Sequence, residues 1–203
     1  MNGKRLLIFA PALAVLLAGC ATTDASLGIR PGADVTRFHL GNPARGSVAI
    51  ERPEGEAGGL EFGIYAVAVE QQLTALGWTV VTPGQRVAPE HIASIRIERT
   101  ARIAPRNSGF SIGLGGGSYG RNVGVGGGVQ IPIGGGGANQ IVTTELSVRL
   151  RRRSDGGAIW EGRATAEARG GSPSASPNAT ADRLARALFQ GFPGESGRTI
   201  RVP

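Results

Sequence analysis

A chain of 203 residues, 40% of them hydrophobic, is long enough to build the core of one domain. Its single cysteine excludes a framework of disulfide bonds within the chain. The 22 basic and 15 acidic residues give a formal net charge of +7, and this balance favours an anionic neighbour, either a nucleic acid or another polyanion.

Residues 1–19 are predicted to be a secretory signal peptide. Lys4 and Arg5 precede an apolar run of 12 residues that ends at Leu17, and small residues follow it. A helix that spans a bilayer needs about 20 residues, so we do not interpret this run as a membrane span. Export excludes nucleic acid as a partner and leaves phospholipid head groups, lipopolysaccharide or other periplasmic anions as candidates.

The residues Leu17, Ala18, Gly19 and Cys20 resemble the lipobox of bacterial lipoproteins, because the position, the small residues and the cysteine coincide. The resemblance implies that the Cys20 thiol takes a diacylglyceryl group, so membrane lipid is a partner through acylated Cys20. By the same resemblance, the absence of aspartate after the cysteine favours an outer-membrane location facing the periplasm. Residues 20–32 are then a lipidated tether to a domain at residues 33–203.

The domain is predicted to begin with two strands and a helix. Alternation predicts a strand from Asp34 to Leu40, in which Val35 and Arg37 share one side, and a second strand from Gly46 to Pro53. Apolar residues at spacings of three and four then predict a helix that ends at Gly77. Its inner face comprises Phe62, Ala66, Val69, Leu73 and Leu76.

Two further strands are predicted after the helix. Trp78 to Val81 is short and apolar and ends at a Pro-Gly turn. His91 to Ile103 alternates over its whole length, and Arg99 alone interrupts its inner row. That row comprises Ala93, Ile95, Ile97, Ala101 and Ile103.

A glycine-rich insertion at residues 109–140 repeats one short pattern three times, in which two apolar residues precede three glycines. It lies between two strands that we expect to be neighbours, so it is predicted to be an elongated hairpin connection. Gly115 to Gly120 matches G-x-G-x-x-G, but no helix-forming segment follows, which argues against a dinucleotide site. Two interpretations stay open, a mobile loop and a contact element that pairs with a partner or lies on the membrane. The candidate contact residues are Val123, Val125, Ile131 and Ile133.

The segment after the insertion is predicted to be a hairpin whose register follows from its pattern. Side chains alternate with period two, so two paired positions on one face must have numbers with an even sum. A three-residue turn at 154–156, with the glycine in the left-handed conformation, meets this condition. It places Leu150 beside Trp160 and Arg149 opposite Glu161.

Three arginines, Arg149, Arg151 and Arg153, are predicted to share the outward face of this hairpin. Glutamates on the opposite arm predict cross-strand ion pairs worth about 0.2–1 kcal/mol each. We interpret the row mainly as a solvated strand face, and the same three arginines are the candidate contacts for an anion.

A final helix is predicted with Ser176 as its N-cap and Pro177 in its first turn, ending at Gly191. Its inner stripe comprises Ala181, Leu184, Ala185 and Leu188. Together the elements predict an α+β fold: a single domain with an antiparallel sheet of about five to six strands, two helices packed on one face, and a glycine-rich hairpin insertion.

This order of elements resembles a bacterial lipoprotein family, domain of unknown function 4136. The segments that carry the resemblance are TRFHL at residues 36–40, EQQLTALGWTVV at 70–81, AIWEGRATA at 158–166 and LARALFQGFPG at 184–194. The resemblance implies an outer-membrane or periplasmic α+β domain and implies no activity. The family often has Ala-Asp where this chain has Ala93 and Ser94, and an aspartate near the hairpin turn where this chain has arginines.

The sequence contains no pattern that indicates catalysis, a cofactor or a metal. His39 and His91 have no cysteine or carboxylate neighbours at metal-ligand spacing. We therefore expect a non-catalytic envelope lipoprotein with a structural or accessory role through contacts with an envelope protein. The alternative is a module that binds phospholipid or lipopolysaccharide through surface arginines. The oligomeric state is left open.

Overall fold

The computed structural model describes residues 27–52, 59–104 and 140–203. They form one α+β domain, a sheet with two helices on one face and a short 3-10 turn at Pro173–Ala175. The described strands are β1 (Ala33–His39), β2 (Ser47–Glu51), β3 (Thr79–Val80), β4 (His91–Ile103), β5 (Gln140–Arg152), β6 (Ala158–Arg169) and β7 (Thr199–Val202), and the helices are α1 (Leu60–Ala75) and α2 (Pro177–Phe189).

The strand order in the sheet is β3-β2-β4-β5-β6-β1-β7. From β4 to β7 the neighbours pair antiparallel, whereas β2 runs parallel to both β3 and β4. The prediction of five to six strands is wrong, because the described residues contain seven. The missed strand β7 has four residues, too few for a recognisable alternation. Helix α1 returns the chain between β2 and β3, and residues 81–90 return it between β3 and β4, so the three strands run in the same direction.

The core lies between the two helices and one face of the sheet. Trp160 on β6 stacks on Phe189 and contacts Phe192, each at a ring-centroid separation of 5.3 Å. A Cβ added at Gly162 would meet the Trp160 ring and would lie 2.8 Å from Cδ1 of Leu188. The indole therefore occupies the space that a side chain at position 162 would need.

The predicted register of the β5–β6 hairpin is confirmed. Arg149 lies opposite Glu161, and Leu150 lies opposite Trp160. The predicted three-residue turn at 154–156 is wrong, because the backbone N–H of Arg152 donates to the carbonyl of Gly157 and the turn is one residue longer, although Gly156 has the expected left-handed φ of +70°. A bulge next to Leu150 offsets the extra residue, so the register that alternation predicts is kept beyond it.

Helix α2 has the predicted cap and the predicted inner stripe. The Ser176 hydroxyl accepts a hydrogen bond from the backbone N–H of Ala179 at 3.4 Å. Helix α1 is rotated relative to its prediction, since Phe62 and Ala66 are only partly buried. Its fully buried residues are Tyr65, Ala68, Val69 and Leu73.

The sheet has two ends, which we name by what leaves them. At the insertion end, Ile103 of β4 pairs with Gln140 of β5, so the connecting segment leaves and returns on adjacent strands. At the turn end, His91 pairs with Arg152, next to the β5–β6 turn. The 13 residues of β4 separate the two ends by roughly 40 Å at about 3.3 Å per residue.

A second, small apolar cluster lies at the insertion end. It consists of Ile29, Ala104 and Ile141, with Leu27 packed against it. Leu27 and Ile29 belong to the stretch interpreted as a tether, and Ile29 is buried. The last residues of that stretch therefore pack on the sheet.

The helices cover the inner row of β4 only in part. Ala93 and Ile95 are buried, whereas Ile103 is 81% exposed. Arg99, the interruption in the row, makes an ion pair with Glu61 of α1 at 3.2 Å. The N-terminal end of α1 thus lies beside the second half of β4, and the row beyond it is open.

Candidate functional site on the open sheet face

The face of the sheet opposite the helices forms a concave groove, which we call the open-face groove. Its side chains alternate with the core residues of β1, β4, β5 and β6, because successive residues of a strand point to opposite faces. Its cavity volume is about 670 Å³. The lining side chains are Thr36, Phe38, Ser94, Arg96, Glu98, Glu145, Ser147, Val148, Arg149, Arg151, Glu161 and Arg163.

Ion pairs cross the strands of the open-face groove. Nε of Arg149 lies 2.7 Å from Oε1 of Glu161, as the predicted register requires. Arg151, also on this face as predicted, reaches Glu51 of β2 at 2.8 Å. Each exposed pair contributes about 0–1 kcal/mol to stability. Their main consequence is that carboxylates compensate these arginines.

Glu145 joins several groups of the open-face groove. Its carboxylate receives the Nε–H of Arg163 at 2.9 Å. The hydroxyls of Ser147 and Thr165 donate to it at 3.2 and 3.3 Å. A carboxylate with three donors from three positions orders the centre of the groove. Glu145 was not predicted as a site residue, although it lies in the outward row of β5 and faces the paired strand β6.

Apolar side chains lie where β1 approaches the turn end. Phe38 lies opposite Glu161 and is 55% exposed, and Leu40 is fully exposed. Isolated exposed hydrophobic residues are common on protein surfaces. Here Phe38 lines the open-face groove, so the groove combines its polar side chains with an exposed aromatic ring.

Arg153, the third predicted arginine, lies away from the groove. A bulge follows Leu150, β5 ends at Arg152, and Arg153 is in the turn. Its backbone N–H donates to the carbonyl of Glu90 at 2.8 Å. With Glu90 and His91 it lines a separate cavity of about 570 Å³ at the turn end.

The neighbouring Arg152 is held within the turn by Asp155. Its Nη2 lies 2.8 Å from Oδ2 of Asp155, and its Nε donates to both carboxylate oxygens at 3.1 Å. These hydrogen bonds, with one from the backbone N–H of Gly157, lower the pKa of the Asp155 carboxyl. The hydrogen bonds between Arg152 and Asp155 also raise the pKa of the Arg152 guanidinium.

The two histidines occupy separate positions at the turn end. His91 is buried and lies edge-on to Trp78, with ring centroids 5.1 Å apart. Nε2 of His39 lies 3.0 Å from the carbonyl oxygen of Gly194. Within residues 27–52, 59–104 and 140–203, no group of three or more His, Cys, Asp or Glu side chains is placed to hold a metal ion.

Arg37 is a buried charged residue on β1, on the face of the sheet opposite the groove. On the inner side of β1, as the alternation predicts, it donates to the carbonyls of Ala187, Leu188 and Gln190 at 2.8, 2.9 and 3.0 Å. These carbonyls end α2 and have no partners within the helix. Burial lowers the pKa of Arg37. The side chain fixes the C-terminal end of α2 against β1.

Comparison with known sequences shows to which family the chain belongs. The family model described as "Domain of unknown function (DUF4136)" matches residues 48–194. The chain belongs to the DUF4136 family. An uncharacterized protein of Zymomonas mobilis subsp. mobilis is 45% identical over 76 residues, which are 37% of this chain and 29% of that protein. The match thus spans less than a third of that relative.

Two solved structures resemble this DUF4136 domain at low identity. A PelC dodecamer from Paraburkholderia phytofirmans is 13% identical at a TM-score of 0.41, covering 77% of this chain and 95% of that one. A PDZ domain protein from Parabacteroides distasonis is 15% identical at a TM-score of 0.46, covering 88% of this chain and 41% of that one.

Several predicted site residues of this DUF4136 protein lie outside the described residues. They are Leu17, Ala18, Gly19, Cys20, Val123, Val125, Ile131 and Ile133. Ser94 lies directly opposite Arg149 in the open-face groove. In the described part of the chain, no helix is long and apolar enough to cross a membrane.

Proposed function

We propose that this protein is a lipid-anchored envelope lipoprotein, attached through Cys20 to the outer membrane on its periplasmic side. Its role in this proposal is structural or accessory and non-catalytic, and it acts through contacts with another envelope protein. The observation that supports this contact surface is the open-face groove. Among the described residues it forms a cavity of about 670 Å³ with ordered polar groups and an exposed apolar side chain, Phe38. The lipobox supports the anchor.

Charge compensation favours a protein partner over an anionic lipid. Arg149 and Arg151 already face Glu161 and Glu51 at hydrogen-bond distance. An anion would have to compete with these carboxylates and approach them closely, which costs electrostatic energy. A protein surface with both charge signs complements such a groove directly.

The alternative function is binding of phospholipid or lipopolysaccharide through arginines. Arg153 is its strongest candidate, since it is exposed at the turn-end cavity and makes no side-chain ion pair with the described residues. Binding of this kind weakens as salt screens the charges. Contact with a protein through the open-face groove depends less on salt.

Photo-crosslinking in cells tests the contact. A photoreactive residue at Ser147, in the centre of the groove, is expected to give a discrete crosslinked protein band. A matched control at Val67, which is 52% exposed on α1, is expected to give none. Crosslinks only to lipid at Ser147 would favour the alternative. Equal protein bands at both positions would contradict a specific contact at the groove.

The anchor has its own test. Cys20→Ser removes the acceptor thiol, so fatty-acid labelling and membrane attachment are expected to be lost together, because one lipidated residue holds the protein. Arg5→Gln, which leaves the lipobox intact, serves as the processing control. Persistent membrane attachment of the Cys20→Ser protein at high salt would contradict the lipid anchor.

A further inference from the structure

We propose that the insertion end of the sheet rests on the bilayer surface, so that the turn end projects into the periplasm. This orientation rests on the proposed lipid anchor at Cys20. The surface consists of the tether exit and of two exposed apolar residues at the same end of the sheet, Ile103 and Leu60, and its partner is a phospholipid bilayer.

The point at which the tether leaves the domain is fixed. Leu27 and Ile29 pack against Ala104 and Ile141 at the insertion end. Leu27 is therefore the described residue nearest the anchor in the chain, and the sheet determines its position. Any lipid on Cys20 is attached at this end of the molecule.

Arg201 of β7 strengthens this attachment. Its guanidinium donates to the carbonyls of Pro31 and Arg30 at 3.0 and 2.7 Å. A third bond joins it to Asp34 at 2.6 Å. The chain between the apolar cluster and β1 is thus held along its length, and the tether cannot peel from the sheet without breaking charge-assisted hydrogen bonds.

The length of the tether limits the distance to the membrane. Seven residue steps from Cys20 to Leu27 span at most about 25 Å, at up to about 3.6 Å per residue. The turn end lies roughly 40 Å farther along the strands. A lipid on Cys20 therefore keeps the insertion end near the bilayer and leaves the turn end free of this restriction.

The insertion end presents apolar side chains suited to a lipid interface. Ile103 is 81% exposed and Leu60 is 93% exposed. The Glu61–Arg99 ion pair places Leu60 beside the second half of β4, at the same end as Ile103. Exposed Arg30, which follows the buried Ile29, adds a positive charge at the tether exit, which anionic head groups attract.

Exposed apolar residues alone would not choose this end, because the turn end has them too. Val87, four residues before β4, is 62% exposed, and Leu40 after β1 is fully exposed. The tether makes the difference, since it holds the insertion end within its reach of the lipid and gives the turn end no such attachment. Val87 is therefore a matched control for Ile103.

Depth-dependent quenching in the full lipoprotein tests the orientation. Because Cys20 is blocked by lipid, Ile103→Cys, Leu60→Cys and Val87→Cys each give a single free thiol for an environment-sensitive fluorophore. The labelled proteins are reconstituted into vesicles of phosphatidylethanolamine and phosphatidylglycerol with brominated acyl chains. Quenching is expected to be about fivefold stronger at positions 103 and 60 than at position 87, because only the first two lie at the bilayer interface.

The same preparations separate the orientation from the anchor. Mass spectrometry of the N-terminal peptide reports whether Cys20 carries a diacylglyceryl group. Absence of that group would overturn the anchor and hence the proposed function. A lipidated protein with equal quenching at all three positions, or stronger quenching at position 87, would overturn the orientation alone.

Discussion

Arg37 connects a single side chain to the stability of a whole helix. It is 2% exposed and gives hydrogen bonds to three carbonyls at the C-terminal end of α2. Alternation in β1 predicts its place on the inner side, next to Val35. Its partners were beyond prediction, because they are backbone atoms about 150 residues away, and no side-chain pattern marks them.

Arg37→Met is expected to lower the free energy of unfolding by about 2–4 kcal/mol. The substitution keeps most of the stem volume but leaves buried carbonyls without donors. Urea unfolding of the mature protein measures the loss. Arg163→Met is the control, since Arg163 is 65% exposed and its ion pair is worth less than about 1 kcal/mol. Equal losses for the two variants would contradict the capping role.

The carboxyl of Asp155 is expected to make the free energy of unfolding depend on pH. Hydrogen bonds from Arg152 and Gly157 lower its pKa in the folded state. Its contribution to stability is therefore present above the unfolded pKa of about 3.9 and is lost as the pH falls through the lower folded value.

The carboxyl signal of Asp155 in an NMR titration is expected to show this lowered pKa. Arg152→Gln removes the main cause, so the pKa of Asp155 is expected to rise toward its ordinary value. Arg198→Gln removes a similar surface pair with Glu195 and is expected to leave Asp155 unchanged. An unchanged Asp155 titration in the Arg152→Gln protein would show that the hydrogen bonds do not act in solution.

At the scale of elements, two glycines with opposite surroundings test the packing. A Cβ at Gly162 would meet the Trp160 ring and Leu188, whereas a Cβ at Gly63 in α1 would meet nothing within 4 Å. Gly162→Ala is expected to lower the free energy of unfolding by about 1–3 kcal/mol through overpacking. Gly63→Ala is expected to raise it by about 0.5–1 kcal/mol through helix propensity. Thermal and urea unfolding measure both, and a neutral Gly162→Ala would contradict the packing against Trp160.

Elements with two distinct faces were predictable from sequence, and elements defined by distant contacts were not. Period-two parity paired Arg149 and Glu161 correctly, but the turn is one residue longer than predicted, and a bulge that no local pattern marks offsets the difference. The buried face of α1 is rotated about the helix axis relative to the predicted one. Tyr65 does not fit an apolar row because of its hydroxyl, yet its side chain is buried. The short strand β7 gains its identity from pairing with β1, which no local pattern encodes. The positions of Arg149 and Arg151 on the open face were predicted. The hydrogen bonds that Glu145 accepts in the open-face groove were not.

At the scale of the whole molecule, net charge and local charge differ. The chain carries a formal net charge of +7, yet in the open-face groove acidic partners face Arg149, Arg151 and Arg163. The formal net charge of the protein is positive, while the charges in its open-face groove are compensated. We therefore expect weak attraction to anionic membranes from a distance, and we expect the groove to offer no site that retains an anion.

Releasing one arginine of the groove is expected to create such a site. Glu161→Gln and Glu145→Gln free Arg149 and Arg163, so the unlipidated Cys20→Ser protein should then sediment more strongly with phosphatidylglycerol vesicles at low salt. Glu195→Gln changes the net charge equally but frees Arg198 outside the groove. Its effect is expected to be several-fold smaller, because a dispersed surface charge lacks neighbouring guanidinium groups. Equal effects of the three substitutions would mean that total charge alone governs binding, and the compensated groove would then lose its role in excluding anions.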